Sequence, residues 1–478
     1  MIEVLSVASE VYPLVKTGGL ADVVGALPAA LAEQNVRVRT LVPGYRQVMA
    51  EMGGAETVAG WDDLFGGSAE LKSRNIDGLE IFALDAPGLF DRAGGPYSSA
   101  DGLDWPDNWS RFAALSRVAA EIATGKAGAW QPQILHAHDW QAGLAPAYLR
   151  YGPGSPVKTV VTIHNLAFQG VFGAEIFADL DLPPEARSID GVEYYGGVGF
   201  LKAALQCADA ITTVSPTYAS EILTADYGMG LDGLLRLRAD DLTGILNGID
   251  NKVWDPETDP HLAEPFKPIS LEGRGANKRA LIERFGLDGD DGPLFGLVSR
   301  LTWQKGIDLV TGAIDQIVSD GGRLCILGNG EPGLEQALAA AAARHSGKVG
   351  LIVGYDEPLA HLMQGGADII LVPSRFEPCG LTQMFALRYG AVPLVARVGG
   401  LADSVIDANE AALGNNVATG IQFMPVAEQA FRTALNRAFD LYGQQKRWQR
   451  VQRNGMKSDF GWGASAARYK SLYESLIG

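Results

Sequence analysis

The stretch from Val4 to Val42, VLSVASEVYPLVKTGGLADVVGALPAALAEQNVRVRTLV, contains a strand, a loop, a helix and a second strand in that order. Apolar and β-branched residues at positions 4–8 and 36–42 predict two buried strands. A loop of lysine, threonine and two glycines, residues 16–19, leads into the helix between them. Strands joined by helices in this way are typical of a parallel sheet covered on both faces. The stretch therefore predicts a doubly wound α/β fold.

The same alternation continues along the chain in two series. The first series has further strand-like runs at residues 134–137, 159–163, 210–214 and 244–246, and the second has runs at 293–298, 323–327, 349–353, 368–372 and 391–396. A single hydrophobic core stops growing near ~250–300 residues, and this chain has 478. We therefore expect two Rossmann-like domains, divided near residues 245–250, where a polar and proline-bearing stretch begins.

Composition limits the partners and the compartment. The net charge is −17, so the long-range field repels nucleic acid and anionic membranes, and neither is expected as a partner. The three cysteines are far apart and lack CxxC spacing, which suits a reducing compartment. The N-terminus has no signal-like pattern, and no apolar run of ~20 residues occurs. We expect a soluble, cytoplasmic protein.

Arg300 and Lys305 form the first candidate site, because ligands of open parallel sheets bind beyond the carboxyl ends of the strands. The two cations follow a predicted strand and precede a helix. Arginine forks onto phosphate oxygens and lysine adds a point charge, so the pair could clamp a diphosphate. The alternative is an ordinary solvated face.

Glu377 and the helix after it form a second candidate site. Gly380 lets a ligand approach the backbone, and Leu381 and Thr382 would offer free N–H groups at the start of a helix through Tyr389. A carboxylate is repelled by a diphosphate, so a sugar hydroxyl or a cationic reacting centre is the more plausible partner of Glu377. The alternative is a helix-start charge in solvent.

Histidines follow two strands of the first half. His164 and Asn165 could hydrogen-bond sugar hydroxyls. His136, His138 and Asp139 resemble a metal cluster superficially, but alternate residues of one strand offer only two ligands on one face. GxSxG, Walker A and GxGxxG patterns are missing from the sequence, which disfavours serine nucleophiles, simple NTP hydrolysis and hydride transfer.

Seven motifs in order carry a family resemblance. They are KTGGLADVVGALPAAL, HAHDWQAGL, TIHNLAFQG, LNGID, SRLTWQKGIDL, SRFEPCGLTQMFALRYG and GGLADSV. Together they closely resemble the bacterial glycogen synthase and plant starch synthase family, which are retaining glucosyltransferases with two Rossmann-like domains facing a central cleft (GT-B). The resemblance implies transfer of glucose from ADP-glucose to the non-reducing end of an α-1,4-glucan such as glycogen. It also implies that no metal or organic cofactor is needed.

The resemblance also assigns roles to individual residues. It implies a catalytic group made of Glu377, His164, Asp139, Lys305 and Arg300, in which the last two hold the diphosphate. It implies substrate binding by Lys16, Gly18, Gly19, Asp22, Asn247, Tyr355, Cys379, Gly380, Leu381 and Thr382, with Tyr355 at the adenine end.

Domain bounds follow from the same resemblance. We expect an N-terminal domain at residues 1–245 that carries the KTGGL loop and the glucan side, and a C-terminal domain at 246–458 that binds ADP-glucose. Residues 459–478 should form a helix that crosses back to the N-terminal domain.

Two other classes of protein fit part of the pattern. One is another enzyme of this fold, either a glucan phosphorylase, which would carry pyridoxal phosphate on a lysine, or a sugar-nucleotide epimerase. The other is a non-catalytic glucan-binding protein, which is favoured only if aromatic side chains are exposed, the candidates being Trp105, Trp109, Trp140 and Trp462.

Overall fold

The computed structural model of the chain describes residues 1–99, 101–128, 130–289 and 292–478. These residues form two compact units. The first unit contains Met1–Gly248 and Trp462–Gly478, and the second contains Ile249–Gly461. No helix in the described ranges is both long enough and apolar enough to cross a membrane.

The first unit is built on a large mixed sheet. Its strands in chain order are β1 (Ile2–Val7), β2 (Val36–Pro43), β3 (Glu56–Trp61), β4 (Ala69–Ile76), β5 (Leu79–Asp85), β6 (Ile134–His138), β7 (Lys158–Ile163), β8 (Val171–Phe172), β9 (Glu193–Tyr194), β10 (Gly197–Gly199), β11 (Ala210–Thr213) and β12 (Leu242–Gly244). Within the described residues, nine of them form one sheet in the order β12-β11-β7-β6-β1-β2-β5-β4-β3. The pairs from β12 to β5 are parallel, and β4 is antiparallel to both its neighbours.

Helices cover this sheet, and the first of them follows the loop at residues 16–19. In chain order they are α1 (Gly19–Glu33), α2 (Arg46–Glu51), α3 (Pro87–Phe90), α4 (Asn108–Ala123), α5 (Ala145–Arg150), α6 (Phe200–Cys207), α7 (Pro216–Glu221) and α8 (Asp232–Leu237). Helix α1 buries Leu20, Val24, Leu27 and Leu31. Because these residues recur every three or four positions, they share one face, and that face packs on the sheet.

The second unit has a parallel sheet over the part of it that the structure describes. Its strands are β13 (Leu294–Val298), β14 (Arg323–Gly328), β15 (Val349–Val353), β16 (Ile369–Val372), β17 (Val392–Ala396) and β18 (Ile421–Phe423), in the spatial order β15-β14-β13-β16-β17-β18. Its helices are α9 (Gly273–Arg284), α10 (Ile307–Ser319), α11 (Pro332–Arg344), α12 (Glu357–Gly366), α13 (Thr382–Tyr389), α14 (Gly399–Ser404), α15 (Glu410–Gly414), α16 (Glu428–Gly443) and α17 (Gln445–Lys457).

A last helix, α18 (Trp462–Ile477), returns to the first unit. It buries Trp462, Ala466, Tyr469 and Tyr473, and these side chains share one apolar cluster with Leu27 and Leu31 of α1. The prediction that the chain ends in a helix packed on the N-terminal domain is therefore confirmed.

The strands predicted from apolar runs are all confirmed to within two residues at each end. The largest displacement is at 244–246, because β12 occupies Leu242–Gly244. Strands β3 and β4 were not predicted. They form the antiparallel end of the sheet and are only partly buried, so neither has a continuous apolar run. Strands β5, β8, β9, β10 and β18 were also not predicted.

Strand order locates the places where ligands bind in each sheet. In the first sheet the order reverses beside β1, whose neighbours are β2 and β6. In the second it reverses beside β13, whose neighbours are β14 and β16. Crevices of this kind open at the carboxyl ends of the strands, where the predicted site residues of each unit lie.

Candidate active site

The KTGG loop, residues 16–19, connects β1 to α1, and all four residues are exposed. Lys16 Nζ lies 2.7 Å from Asp22 Oδ1 and 5.3 Å from the centre of the Tyr12 ring. The Lys16 and Asp22 side chains are 32% and 29% exposed, so water reaches this ion pair. The structure thus brings two of the predicted binding residues together and leaves the ammonium accessible.

The two glycines of this loop are not required by the packing of the first unit. A Cβ added at Gly18 or Gly19 would meet no atom of the described residues within 4 Å. Gly18 has an extended backbone with φ of −158°, a conformation that any residue adopts. Neither packing nor backbone conformation within the first unit therefore explains why these two positions are glycine.

Glu10 binds the KTGG loop through its buried side chain. It was not among the predicted site residues. It is 2% exposed. Its carboxylate accepts hydrogen bonds from the Thr17 N–H, from Thr17 Oγ1 at 2.5 Å, from the Gly18 N–H at 3.3 Å and from the Tyr97 hydroxyl. The only sequence signal for this role was an acidic residue in an otherwise apolar stretch just after the first strand.

Asp139 and His164 lie at the ends of neighbouring strands β6 and β7. Asp139 has a φ of +55°, which turns its side chain back so that Oδ1 accepts the His164 N–H at 2.7 Å. Burial is the main reason that the pKa of Asp139 is raised to about 7, and the charge of Glu10 also raises it. The hydrogen bonds from the His164 and Asn165 N–H groups act in the opposite direction and lower this pKa. A carboxyl of this kind can exchange a proton near neutral pH.

His138 supports the His164 ring. His138 Nδ1 lies 2.9 Å from His164 Nε2, and His138 Nε2 lies 3.2 Å from Ser6 Oγ. Burial lowers the pKa of His138 to about 3 and lowers that of His164 well below its ordinary value. Both rings are therefore neutral at pH 7, and hydrogen bonding fixes the orientation of His164.

His136 belongs to the structure of the unit. Its Nδ1 lies 2.8 Å from the Tyr473 hydroxyl of α18, and its Nε2 lies 2.6 Å from Thr162 Oγ1. The ring nitrogens of His136 and His138 are therefore all engaged in hydrogen bonds. Among the described residues, no group of three or more His, Cys, Asp or Glu side chains is arranged to hold a metal ion.

Lys305 and Glu377 form an ion pair at the carboxyl ends of β13 and β16. Lys305 Nζ lies 2.6 Å from Glu377 Oε2, and the two side chains are 18% and 10% exposed. Ser374 Oγ donates to the same oxygen at 2.8 Å. The alternative of a solvated helix-start charge at Glu377 is therefore wrong, as is that of a solvated face at Lys305.

Arg300 and Tyr355 are exposed at the ends of their strands. Arg300 follows β13, and no side chain or carbonyl of the described residues accepts a hydrogen bond from its guanidinium. Tyr355 follows β15, is 74% exposed and donates to Glu357 at 2.7 Å. Arg300 is thus the less constrained of the two predicted diphosphate ligands.

The turn from Cys379 to Thr382 leads into α13 as predicted. Gly380 has a φ of +71°, which favours glycine. Gln383 fixes the turn, because its Nε2 donates to the Cys379 carbonyl at 3.1 Å and to the Gly380 carbonyl at 2.9 Å. The N–H groups of Leu381 and Thr382 lie at the start of the helix, where the helix dipole favours anions.

The first turn of α14 packs against this turn. Gly399 has a φ of +42°, and a Cβ added to it would lie 2.0 Å from the Glu377 carbonyl oxygen. A Cβ on Gly400 would lie 2.1 Å from the Cys379 carbonyl oxygen. The GG pair of the GGLADSV motif therefore determines where Glu377 lies.

Asn247 lies at the end of the first unit and is 7% exposed. Its Oδ1 is buried and has no hydrogen-bond partner among the described residues. Buried acceptors are rarely left unpaired. The atom is therefore available to a donor from outside the unit's described residues, such as a sugar hydroxyl.

The four tryptophans considered for a glucan-binding protein are not exposed. Trp140 and Trp462 are buried, at 9% and 7% exposure, and Trp105 and Trp109 are half-buried. Trp140 packs edge-on against Phe112 at 4.9 Å between ring centroids. The suggestion that these four tryptophans form an exposed platform is therefore wrong, because they contribute to the core or its margin.

Comparisons with known proteins agree with this architecture. Residues 3–237 match the family described as starch synthase catalytic domain, and residues 279–455 match glycosyl transferases group 1. Sucrose-phosphate synthase from Thermosynechococcus elongatus shares the fold, with a TM-score of 0.61 at 17% identity over 100% of this chain and 99% of that one. Fold and domain matches together define a glycosyltransferase of the GT-B class.

Relatives of higher identity define the family. The chain is 58% identical to glycogen synthase 1 of Rhizobium meliloti and 56% identical to glycogen synthase of Mesorhizobium japonicum, in each case over 100% of this chain and 99% of the relative. The catalytic domain of starch synthase IV from Arabidopsis thaliana, solved bound to ADP and acarbose, has a TM-score of 0.88 at 32% identity, over 100% of this chain and 99% of that one. The chain belongs to the glycogen synthase and starch synthase family.

Proposed function

We propose that the protein transfers glucose from ADP-glucose to the non-reducing end of an α-1,4-glucan and retains the anomeric configuration. The observation that carries the proposal is the Lys305–Glu377 pair at the carboxyl ends of β13 and β16. It supplies a cation and an anion 2.6 Å apart at the kind of crevice where ligands bind. The names of the relatives support glycogen as the product, and the ADP bound to the Arabidopsis enzyme supports ADP as the nucleotide.

Charge separation in the reaction accounts for the cationic residues. Breaking the bond between glucose and the diphosphate leaves negative charge on ADP and oxocarbenium-like positive charge on the sugar. In the proposal Arg300 and Lys305 bind the diphosphate, helped by the start of α13 at Thr382. Preorganised charges of this kind are among the largest contributions to catalysis, because they need no rearrangement as the transition state forms.

Glu377 acts on the sugar in this proposal. Lys305 and Ser374 fix its carboxylate, which would stabilise the positive charge at the reacting carbon. Lys305 then lies between two anions, Glu377 and the diphosphate. This arrangement explains how a carboxylate is tolerated near a diphosphate, since the lysine screens one from the other.

Residues of the first unit contribute the remaining contacts in this proposal. His164, Asp139 and Asn247 hydrogen-bond hydroxyls of the transferred glucose, and the free Oδ1 of Asn247 supports this role. Lys16 and the backbone at Gly18 and Gly19 contact the diphosphate. Two glycines that the fold does not require support a close approach of ligand to backbone.

The remaining predicted residues complete the donor site. Asp22 orients Lys16, and Tyr355 contacts the adenine. The backbone N–H groups of Cys379, Gly380, Leu381 and Thr382 bind phosphate or sugar oxygens. We also propose the cytoplasm as the compartment, which the three free cysteines support; cell fractionation with an antibody to the protein tests it.

ADP release from ADP-glucose, measured with and without glycogen, tests the proposed reaction. We expect release that depends on glycogen and is far slower with UDP-glucose. When radiolabelled donor is used, β-amylase should liberate the label from the product as maltose, because that enzyme cleaves α-1,4 bonds from non-reducing ends. ADP release that does not depend on glycogen would contradict the proposal. So would radiolabel that β-amylase does not liberate from the product.

A further inference from the structure

We propose that Glu10 is the positioning residue of the KTGG loop: its buried carboxylate fixes the loop in the shape that presents Lys16 and the backbone at Gly18 and Gly19 to ADP-glucose. The proposal rests on the proposed function, because it assigns to the loop a contact with the diphosphate of ADP-glucose. Glu10 was not among the site residues predicted from the sequence.

Glu10 gathers donors from two separate parts of the first unit. Thr17 contributes both its N–H and its hydroxyl, and Gly18 contributes its N–H at 3.3 Å. The fourth donor is the Tyr97 hydroxyl. Asn108 of α4 in turn holds Tyr97, donating to its carbonyl at 2.9 Å. The loop is thereby tied through one carboxylate to a helix of the core.

The loop depends on this carboxylate because little else holds it. Its residues 16–19 are exposed, and a Cβ added at Gly18 or Gly19 would meet no atom of the described residues within 4 Å. The ion pair between Lys16 and Asp22 is open to water, so its contribution is small. Buried hydrogen bonds to a charged group are stronger than neutral ones, so Glu10 makes the main contacts that fix the loop.

A carboxylate suits this position better than an amide does. An ionised carboxylate only accepts, through two oxygens, and can serve all four donors at once. A glutamine at position 10 has one accepting oxygen, and its NH₂ group would face donors that need an acceptor. Glu10→Gln therefore keeps the size of the side chain and disrupts the loop contacts.

Glu10 acts through the loop and not on the substrate. At 2% exposure its carboxylate is covered by the groups that it binds. Loss of Glu10 should therefore resemble loss of the lysine that it positions. We expect Glu10→Gln and Lys16→Ala each to lower kcat by about 10- to 100-fold and to change the Kd for ADP by less than about threefold.

A double-mutant cycle separates positioning from a general structural role. Because both residues act through one loop, the double variant should be about as slow as the slower single variant, and the two effects on kcat should not multiply. Independent, multiplying effects would overturn the proposal. So would a Glu10→Gln enzyme with normal kcat.

Matched variants control for folding and for loss of a carboxylate that binds a threonine. Asp209 also accepts a backbone N–H and a hydroxyl from one threonine, Thr159, at 2.7 and 2.8 Å, but at the amino ends of β7 and β11. Asp209→Asn should leave kcat within about twofold. Should Glu10→Gln fail to fold, Thr17→Val and Thr17→Ser apply the test at an exposed position. The serine variant retains the hydroxyl bond and should restore most of the kcat that the valine variant loses; equal rates for the two would overturn the proposal.

The wild-type assay distinguishes failure of this proposal from failure of the proposed function. If wild-type protein releases no ADP in a glycogen-dependent way, the proposed function is wrong. If wild-type protein is active and Lys16→Ala is slow, while Glu10→Gln and Thr17→Val both turn over normally, only the role of Glu10 is wrong.

Discussion

At the residue scale, the Lys305–Glu377 pair is the centre of the second unit's site. Each side chain is mostly buried, and each is the other's charged partner. Removing one partner of such a pair leaves an uncompensated charge, which costs more than the pair itself contributes. Function and stability are therefore coupled at these two positions.

Lys305→Ala and Glu377→Gln should each reduce kcat in the ADP-release assay. The expected loss is about 10²–10³-fold, because each variant removes a preorganised charge at the reacting centre. The matched control is Asp368→Asn, since Asp368 pairs with Lys278 at 2.8 Å, both 14% exposed, at the amino end of β16. It should lower the unfolding midpoint and keep kcat near wild type; a normal kcat in either site variant would remove that residue from the site.

Asp139 should make the free energy of unfolding depend on pH, and comparison with Asp139→Asn measures this contribution. Burial raises its pKa from an ordinary value of 3.8 to about 7. Because the folded-state pKa is above the unfolded one, the stability linked to this group is complete below about pH 4 and is lost as the pH rises through 7. Between pH 5.5 and pH 8 wild-type protein should lose about 2 kcal/mol relative to Asp139→Asn.

Urea unfolding of the two proteins at both pH values measures this difference. The buried histidines shift stability in the opposite sense, because their pKa values are lowered in the fold. They are present in both proteins, so the comparison cancels them to first order. Parallel pH profiles would mean that Asp139 titrates near its ordinary pKa.

At the element scale, the start of α14 determines the position of Glu377. Its two glycines pack against the carbonyls of the turn before α13, and larger residues cannot fit without moving that turn. The loop residue Val398 and the turn residue Cys379 are both buried. The GGLADSV motif is therefore a packing motif that acts on the site through the backbone.

Gly399→Ala should disturb both stability and turnover. The φ of +42° and the contact at 2.0 Å together should cost about 1–3 kcal/mol, and the displaced Glu377 should lower kcat by about tenfold or more. Gly443→Ala, at the end of α16 with nothing within 4 Å among the described residues, is the control and should change neither by much. A wild-type kcat in Gly399→Ala would mean that the turn tolerates the shift.

At the scale of the whole molecule, the first unit is completed by the last residues of the chain. Helix α18 covers α1 and places Tyr473 against His136 on β6. Tyr473 is fully buried. The core of the N-terminal unit is thus finished only when the C-terminus has folded onto it, so the two ends of the chain depend on each other for stability.

Tyr473→Phe should destabilise the first unit, although Tyr473 is not one of its candidate site residues. It leaves His136 Nδ1 buried and unpaired, which costs about 1–3 kcal/mol. Tyr195→Phe is the matched control, since Tyr195 is 82% exposed and its hydroxyl is accessible to water. Thermal unfolding followed by circular dichroism should show a lower midpoint for the first variant alone; equal midpoints would show that water or another donor replaces the hydroxyl.

The sequence by itself determined the fold class, most of the parallel strands and the family. Apolar runs of four to eight residues predict buried strands because side-chain burial repeats locally along the chain. Motifs such as KTGGL and SRFEPCGLTQ identified candidate residues because strand ends carry the ligand contacts of this fold. Both kinds of signal are contained in short segments, so one sequence was enough to find them.

Only the tertiary structure decided which of those residues meet. Lys305 and Glu377 are 72 positions apart, and Glu10 and Tyr97 are 87 apart, so no local pattern records either contact. The burial of Trp140 and Trp462, the free Oδ1 of Asn247 and the raised pKa of Asp139 likewise depend on what surrounds each group in space. The physical reason is that hydrogen bonding, desolvation and charge pairing act over a few ångströms in the folded molecule, whatever the separation along the chain.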